Sequence, residues 1–276
     1  MKVHFIGIGG IGLSALARFL NFDGHKVSGS DMKSSLITKA LEDEGIKVSC
    51  PQSASNMQDD FDLVIYSAAV TDENPELIEA RLKQIRTLSR KEALPIILGD
   101  KKNYCVAGAH GKSTTTAILA SILESSALIG AISKDFGSNF RYVNKLIAFE
   151  ADESDASFLL SNPYCAIVTN AEPEHMEYYH YDYDKFYGAY ERFISLAKKR
   201  VVNGEDKDIQ KLKIEDATYL YPSKDIKNLC YTLKDNQPCT RFDLKDLGTF
   251  EVWGFGFHMA SNASLAILAA LNELDV

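Results

Sequence analysis

A glycine turn at residues 108–114, with the sequence GAHGKST, has the residue types and spacing that suit a nucleoside triphosphate. In the G-K-[ST] signature, the lysine balances β- and γ-phosphate charge and the next hydroxyl ligates Mg²⁺. The longer form of this loop would have glycine where Val106 stands, so the turn is the short form G-x-x-G-K-S. A simpler interpretation is an ordinary helix start with Ser113 near its cap. The candidate phosphate-binding residues are Gly108, Ala109, His110, Gly111, Lys112, Ser113 and Thr114.

Two acidic segments follow apolar runs and offer further ligand atoms. Residues 150–155 read EADESD directly after one apolar run, and residues 170–177 read NAEPEHME after another. Open α/β sheets bind ligands at the carboxyl ends of their strands, and carboxylates beside a phosphate-binding turn are natural Mg²⁺ ligands. The neutral imidazole of His175 can complete a metal site otherwise built of oxygens. Simpler interpretations are a solvated acidic turn for the first segment and a structural histidine for the second.

Another glycine turn lies near the start of the chain; in chain order it is the first glycine turn, and the turn at residues 108–114 is the second. Residues 7–12 read GIGGIG between a strand-like run and a helical run, and Asp31 comes 19 residues after Gly12. Glycines there let backbone amides approach a pyrophosphate, and an acidic side chain at that distance can accept from a ribose hydroxyl. NAD(P), a flavin dinucleotide or a nucleotide sugar would each fit. The alternative is a tight turn that only packs a helix on a strand.

Two further segments, the start of the last predicted helix and an aromatic stretch, could either bind a ligand or serve only the structure. His258 and Asn262 are four residues apart and share a face of the last predicted helix. Such a pair suits reading the edge of a base, although capping and solvent contact explain it equally well. The aromatic stretch at residues 178–183 has no interleaved basic residues, so we interpret it as packing.

Short apolar runs alternate with amphipathic segments, which predicts an α/β fold. In the first half this βαβαβ order indicates a Rossmann-like parallel sheet covered by helices. The polar break at residues 99–103 suggests a boundary, so we divide the chain into domains at 1–102 and 103–276. The second domain is predicted to be a P-loop-type α/β unit. The predicted strands are 3–6, 26–28, 63–66, 104–107, 146–150, 166–169 and 200–203; the predicted helices are 13–21, 36–44, 90–98, 112–124, 184–199 and 259–274; another helix follows Pro75, and short strands and turns span 217–252.

The composition excludes several other classes of protein. With 276 residues, 46% hydrophobic and 25% charged, the chain resembles an ordinary globular protein of about two domains. Its 30 basic and 38 acidic residues give a net charge of −8, which argues against nucleic acid or an anionic membrane as partner. The five cysteines lack a C-x-x-C pair and indicate no disulfide framework. With no leader segment and no long apolar run, we expect a cytoplasmic protein.

Taken together, the motifs resemble the Mur ligases of peptidoglycan synthesis. The resemblance runs in the family's order along the whole chain, and it is carried by residues 7–12 with Ser14, 28–31, 108–114, 150–158, 170–175, and Gly256, His258 and Asn262. It implies an ATP-dependent carbon–nitrogen ligase that joins L-alanine to the lactoyl carboxylate of UDP-N-acetylmuramate through an acyl phosphate. ATP and Mg²⁺ would be its cofactors, and the two small molecules its substrates.

The resemblance also implies roles for particular residues. Lys112, Glu153 and His175 would be catalytic, and the metal ligands would be Ser113, Glu153 and His175. Asn262 would contact adenine, with His258 beside it. The UDP moiety would be held by Gly9, Gly10, Ile11, Gly12, Asp31 and Ser67.

Some features depart from the family's pattern. Ala109 replaces the usual threonine, Glu174 and Glu177 replace aspartates, and Met259 replaces an asparagine. The family's third domain, which closes over ATP, has no counterpart before Val276. We therefore expect a truncated form that binds nucleotides but ligates poorly or not at all. Alternative functions are a murein tripeptide ligase of the same family, an NAD(P)-dependent oxidoreductase, or a non-catalytic nucleotide-binding module.

Overall fold

A computed structural model describes residues 1–58, 60–99, 101–133 and 136–273. Their contacts divide the chain into two compact units. Unit 1 consists of Met1–Gly99 together with Leu128–Tyr142, and unit 2 consists of the other described residues. This grouping differs from the predicted division at residues 128–142, which lie with unit 1 although they come later in the chain.

Unit 1 is built on a five-stranded sheet whose strand order is β3–β2–β1–β4–β5. Its neighbouring strands pair in parallel. The strands are β1 Lys2–Ile6, β2 Lys26–Ser30, β3 Lys47–Ser49, β4 Leu63–Tyr66 and β5 Thr87–Ser89. The helices are α1 Ile11–Phe22, α2 Leu36–Asp43, α3 Pro75–Leu82 and α4 Arg90–Leu98, and a 3₁₀ helix spans Ala54–Met57.

Local sequence explains why these elements form. The central strand β1 is almost entirely buried because helices cover both faces of a parallel sheet, as its apolar run predicts. Three helices begin at residues whose side chains cap the first turn: Ser35, Asn74 and Ser89. By contrast, α1 begins after Gly10 without a side-chain cap. The amides that open α1 are thus not capped by the residue before them.

The late segment of unit 1 is anchored on α1 by buried polar contacts. Asn139 accepts a hydrogen bond from Nη1 of Arg18 at 2.9 Å, and its own Nδ2 donates to the Ile11 carbonyl at 2.5 Å. The Arg18 guanidinium also donates from Nε to both carboxylate oxygens of Glu44. Both Arg18 and Asn139 are buried, so each satisfies the other in a place that water does not reach.

Unit 2 contains five strands that pair in parallel, in the order β12–β11–β10–β6–β9. It also contains a separate antiparallel sheet of three strands, in the order β13–β14–β15. Strand β8, and most of strand β7, lie in the segment that belongs to unit 1. The strands are β6 Lys102–Ala107, β7 Ser126–Ser133, β8 Ser138–Arg141, β9 Leu146–Glu150, β10 Pro163–Val168, β11 Lys199–Asn203, β12 Thr218–Leu220, β13 Ile226–Lys234, β14 Gln237–Leu244 and β15 Thr249–Trp253. The helices are α5 Lys112–Ile122, α6 Tyr183–Leu196, α7 Pro222–Asp225 and α8 Phe257–Leu271, with 3₁₀ helices at Ser157–Leu160 and Ile209–Lys211.

The α/β class and the parallel first sheet are confirmed; the differences are shifted element ends and elements that the sequence did not predict. The strand predicted at 26–28 extends to Ser30. The helix predicted to residue 199 ends at Leu196, because Ala197 has an extended backbone and leads into β11. The last helix begins at Phe257, two residues early, while Asp100 of the polar break and Leu274 lie outside the described residues. Four strands outside the predicted ranges were missed: β3 and β5, which have only three residues each, and β7 and β8. Across the described ranges, no helix has both the length and the apolar character needed to span a bilayer.

Candidate functional site

The second glycine turn joins β6 to α5 and needs glycine at two positions. Gly108 and Gly111 have φ angles of 137° and 84°, which side chains rarely adopt. A β-carbon on Gly108 would also collide with the Thr169 hydroxyl, and one on Gly111 would lie 2.7 Å from Asn262 Oδ1. Helix α5 begins at Lys112, and its N-cap is Gly111, which offers no side-chain cap. The structure therefore does not support a helix start capped by Ser113; it leaves first-turn amides facing the turn, as anion binding requires.

Lys112 and Glu153 form an ion pair at this turn. The distance between Lys112 Nζ and Glu153 Oε1 is 2.9 Å, and Nζ also donates to the Gly108 carbonyl at 2.5 Å. Glu153 is only 2% exposed, yet its second oxygen, Oε2, is buried and has no hydrogen-bond partner among the described residues. Burial raises the pKa of the Glu153 carboxyl, and Lys112 offsets this only in part. A buried carboxylate oxygen without a donor is a suitable ligand for a cation.

The backbone around Glu153 is fixed by the loop itself and by one distant tyrosine. Asp152 Oδ1 accepts from both the amide and the hydroxyl of Ser154, and the Ala156 amide donates to the Glu153 carbonyl at 3.1 Å. The Tyr179 hydroxyl donates to that same carbonyl at 2.6 Å. Tyr179 is buried and its ring packs edge-on against Phe186. The aromatic stretch thus does contain packing, as predicted, but it also contains this unpredicted polar contact.

The acidic segment at residues 170–177 contacts the second glycine turn through Asn170, not through His175. Asn170 accepts from the His110 amide at 3.1 Å and donates to the His110 carbonyl at 2.8 Å. The His110 ring is 3.5 Å from a Glu174 oxygen. His175 is exposed, has a φ of 52°, and its ring forms no hydrogen bond with the described residues. No three His, Cys, Asp or Glu side chains of the described ranges converge as a ready-made metal site.

A cavity of about 750 Å³ opens directly beside the second turn. The predicted base-reading pair lies on it: Asn262 is nearly buried, while His258 is exposed. Sequence analysis missed Asn203 and Pro222, which also line it. Asn203 is the polar residue that ends the strand-like run at 200–203, and this position could have identified it as a candidate. No pattern in the sequence points to Pro222. The cavity places space large enough for a nucleobase next to the amides at the start of α5, which suit phosphates.

The first glycine turn is arranged differently. Asp31 Oδ2 accepts from the Gly9 amide at 2.9 Å, so a carboxylate already occupies part of this turn. A β-carbon on Gly7 would lie 3.0 Å from Ser67 Cβ, which places Ser67 against the turn. A β-carbon on Gly12 would lie 3.1 Å from Nε of Arg90, a residue that sequence analysis did not single out.

Comparison with known families assigns both halves of the chain to one group. Residues 2–102 match the model of the Mur ligase family, catalytic domain, and residues 106–270 match the model of the Mur ligase middle domain. The chain belongs to the Mur ligase family. The family resemblance inferred from the motifs is thereby confirmed, and the interpretation of the first turn as part of an NAD(P)-dependent oxidoreductase finds no support.

Individual Mur ligases are similar over the entire chain. The chain is 59% identical over 273 residues to UDP-N-acetylmuramate--L-alanine ligase of Campylobacter curvus, and 50% identical over 277 residues to that of Helicobacter pylori strain P12. These alignments cover 99% and 100% of the chain but only 62% and 61% of the relatives. A crystal structure of UDP-N-acetylmuramate-alanine ligase from Thermotoga maritima superposes with a TM-score of 0.84 at 30% identity, covering 100% of this chain and 66% of that one.

Proposed function

We propose that the chain is the nucleotide-binding part of an ATP-dependent ligase that joins L-alanine to the lactoyl carboxylate of UDP-N-acetylmuramate, in the cytoplasmic stage of peptidoglycan precursor synthesis. Two relatives at 59% and 50% identity bear the name of that ligase. The observation that carries the proposal is the Lys112–Glu153 pair, at 2.9 Å, at the uncapped start of α5. The 750 Å³ cavity borders the same turn at His110, Gly111 and Thr114.

Unit 2 would bind ATP. In this proposal the turn at residues 108–114 holds the phosphates, Lys112 balances their charge, and Asn262 and His258 face the adenine. The proposed Mg²⁺ ligands are Ser113, Glu153 and His175. The unpaired, buried Oε2 of Glu153 fits this role, since it is a hard anionic donor with no other partner among the described residues. When bound, the metal would neutralise charge on the transferring phosphoryl group.

Unit 1 would bind the UDP-linked substrate. The proposed contacts are Gly9, Gly10, Ile11, Gly12, Asp31 and Ser67, at the carboxyl ends of β1, β2 and β4, where open parallel sheets bind ligands. The division into a UDP-substrate domain at 1–102 and an ATP domain at 103–276 stays a proposal, supported by family matches over 2–102 and 106–270.

The proposed chemistry explains why the second turn needs positive charge. The γ-phosphoryl of ATP passes to the lactoyl carboxylate, giving an acyl phosphate; the amine of L-alanine then attacks the acyl carbon and releases phosphate. The first step brings one anion against another, so it requires charge neutralisation at the phosphoryl group. Lys112 and the first-turn amides of α5 are the groups of this chain placed to provide it.

Titration calorimetry with ATP and Mg²⁺ tests the proposal. Because the chain spans 62% of its relative, binding is a better readout than turnover. We expect Lys112→Ala to weaken Mg·ATP binding by about a hundredfold, since it removes a charge aimed at the phosphates. Lys102→Ala is the matched control, because Lys102 pairs with Glu273 at 2.6 Å, at the opposite end of β6. Equal ATP affinity in all three proteins, or none in the unaltered chain, would refute the proposal.

A further inference from the structure

The Arg90 guanidinium has no carboxylate partner among the residues that the structure describes. It is the first residue of α4, directly after β5, and it is half-buried. Its Nε is buried without a hydrogen-bond partner, and no carboxylate of the described residues forms an ion pair with its guanidinium. Removing part of a guanidinium from water without such a partner costs free energy, so the position is unfavourable unless a ligand completes it.

The local helix makes this placement still less favourable. The amino end of a helix carries partial positive charge, which favours acidic and disfavours basic side chains. The nearest acidic residue of the same turn, Glu92, is engaged elsewhere: it accepts from the amide and the hydroxyl of Ser89 at 2.8 and 2.6 Å. Helix stability therefore gives no reason for an arginine at this position.

Arg90 lies against the first glycine turn. A β-carbon on Gly12 would be 3.1 Å from Nε, 3.5 Å from Nη2 and 3.6 Å from Cζ, so the missing side chain of Gly12 is what makes room for the guanidinium. Gly12 is inside α1 with ordinary helical geometry, so the turn itself does not demand glycine there. The close approach of Arg90 explains that glycine.

The first turn also lacks positive charge of its own. In the first turn, the Asp31 carboxylate accepts a hydrogen bond from the Gly9 amide. In the second turn, by contrast, the Lys112 ammonium group donates to the Gly108 carbonyl and so supplies a positive charge. A diphosphate approaching residues 7–12 would meet a carboxylate unless a cation stands nearby. The guanidinium of Arg90 is planar, with several donors arranged to bind two phosphate oxygens at once.

We propose that Arg90 binds the diphosphate of the UDP-linked substrate, with Gly12 left bare to admit the guanidinium. This inference rests on the proposed function, because that function supplies the diphosphate ligand. The ligand class is a nucleoside diphosphate or its ester. Arg90 is in this view a substrate-binding residue of unit 1, and it acts through its charge and its paired donors.

Binding of UDP, UMP and uridine to the full chain tests the role of Arg90. We expect Arg90→Gln to weaken UDP binding by about tenfold or more, and Arg90→Lys to weaken it less, since lysine keeps the charge but loses the paired donors. Uridine, which has no phosphate, should bind all variants alike. Arg86→Gln is the matched control, because Arg86 is exposed at the other end of β5 and should leave UDP binding unchanged.

Gly12→Ala provides an independent variant. The added methyl would lie within 3.1–3.6 Å of the guanidinium and displace it, so UDP should bind more weakly while Mg·ATP binding by unit 2 stays as it was. Retained ATP binding shows that the protein has folded. Equal UDP affinity in the unaltered chain, Arg90→Gln and Gly12→Ala would overturn the role of Arg90 alone. If the unaltered chain bound ATP but not UDP, the substrate half of the proposed function would fail, and the role of Arg90 with it.

Discussion

The two glycine turns each have a buried carboxylate beside them, but the two carboxylates are in opposite states. Near the first turn, Glu76 is fully buried, and both of its oxygens accept hydrogen bonds. One accepts from Ser30 Oγ and, at 3.4 Å, from His4 Nε2; the other accepts from the Ser53 amide at 3.1 Å and from Asn56 Nδ2 at 2.6 Å. At the second turn, Glu153 has Lys112 on one oxygen and no described partner on the other.

This difference separates a structural carboxylate from a ligand-binding one. The Ser30 carbonyl accepts from the Gly7 and Ile8 amides, so Glu76, by holding the Ser30 hydroxyl, supports the first turn from beneath. It has no remaining capacity for a ligand. Glu153 has one oxygen, Oε2, with no hydrogen-bond partner among the described residues. Burying a carboxylate oxygen without a donor or cation costs free energy, so a ligand that contacts it would be stabilising. A buried carboxylate is therefore a candidate ligand only when its hydrogen bonds are incomplete.

The largest effect should come from deleting the satisfied carboxylate. Glu76→Ala leaves the donors of Ser30, His4 and Asn56 without an acceptor in the core, so we expect the free energy of unfolding to fall by about 3 kcal/mol. Urea unfolding measures this loss. Glu79→Ala is the control on the same helix: its carboxylate is 3.6 Å from Lys83 near the surface, and we expect a change below about 0.5 kcal/mol. Similar losses in both variants would contradict a structural role for Glu76.

Glu153→Gln should give the opposite pattern, with a large effect on ligand binding and a small one on stability. Glutamine keeps the size and can still accept from Lys112, but it lacks the anionic oxygen proposed for Mg²⁺. We expect ATP binding in the presence of Mg²⁺ to weaken by about tenfold, and binding in its absence to change little. Calorimetry with and without the metal separates the two cases. A variant whose ATP binding kept its full Mg²⁺ dependence would show that Glu153 is not a ligand.

Tyr179→Phe sharpens the comparison, because it removes only the hydroxyl that fixes the Glu153 backbone. We expect Mg·ATP binding to weaken about threefold and the free energy of unfolding to fall by about 1 kcal/mol. Tyr104→Phe loses a bond of the same 2.6 Å length, from its hydroxyl to Glu273 at the far end of β6. It should lose similar stability without any change in ATP affinity. If both variants changed affinity equally, Tyr179 would have no special role in positioning Glu153.

The smallest effect concerns acid stability. Burial alone would raise the pKa of Glu76, but hydrogen bonds from His4, Ser30 and Asn56 outweigh it and hold that pKa below its ordinary value of 4.5. The stability that the ionised form contributes is therefore present above pH 4.5 and is lost as the pH falls through the lower, folded-state pKa. Glu76→Gln should lose less stability than the unaltered chain over this range, by about 1 kcal/mol. Urea unfolding at pH 3 to 5 measures the difference, and parallel losses in the two proteins would contradict it.

Sequence alone predicted the features that depend on neighbours in the chain. Both glycine turns, the start of α5 at Lys112 and the parallel strands follow from local spacing and apolar runs, and the structure confirms them. It did not predict Arg90 beside Gly12 or Tyr179 on the Glu153 carbonyl, because these contacts join residues 78 and 26 positions apart. The role of His175 stays a prediction, since its exposed ring is not tied to Glu153 by any described contact.

The buried Arg18–Asn139 contact has a practical consequence for dissecting the protein. Residues 128–142 belong to unit 1 but are reached only after the chain has passed through β6 and α5. A fragment cut at residue 102 would lack Asn139, leaving the buried Arg18 Nη1 without its acceptor. Expressing the first half as an isolated piece would thus yield an incomplete fold, and the two halves have to be made together or joined with that segment restored.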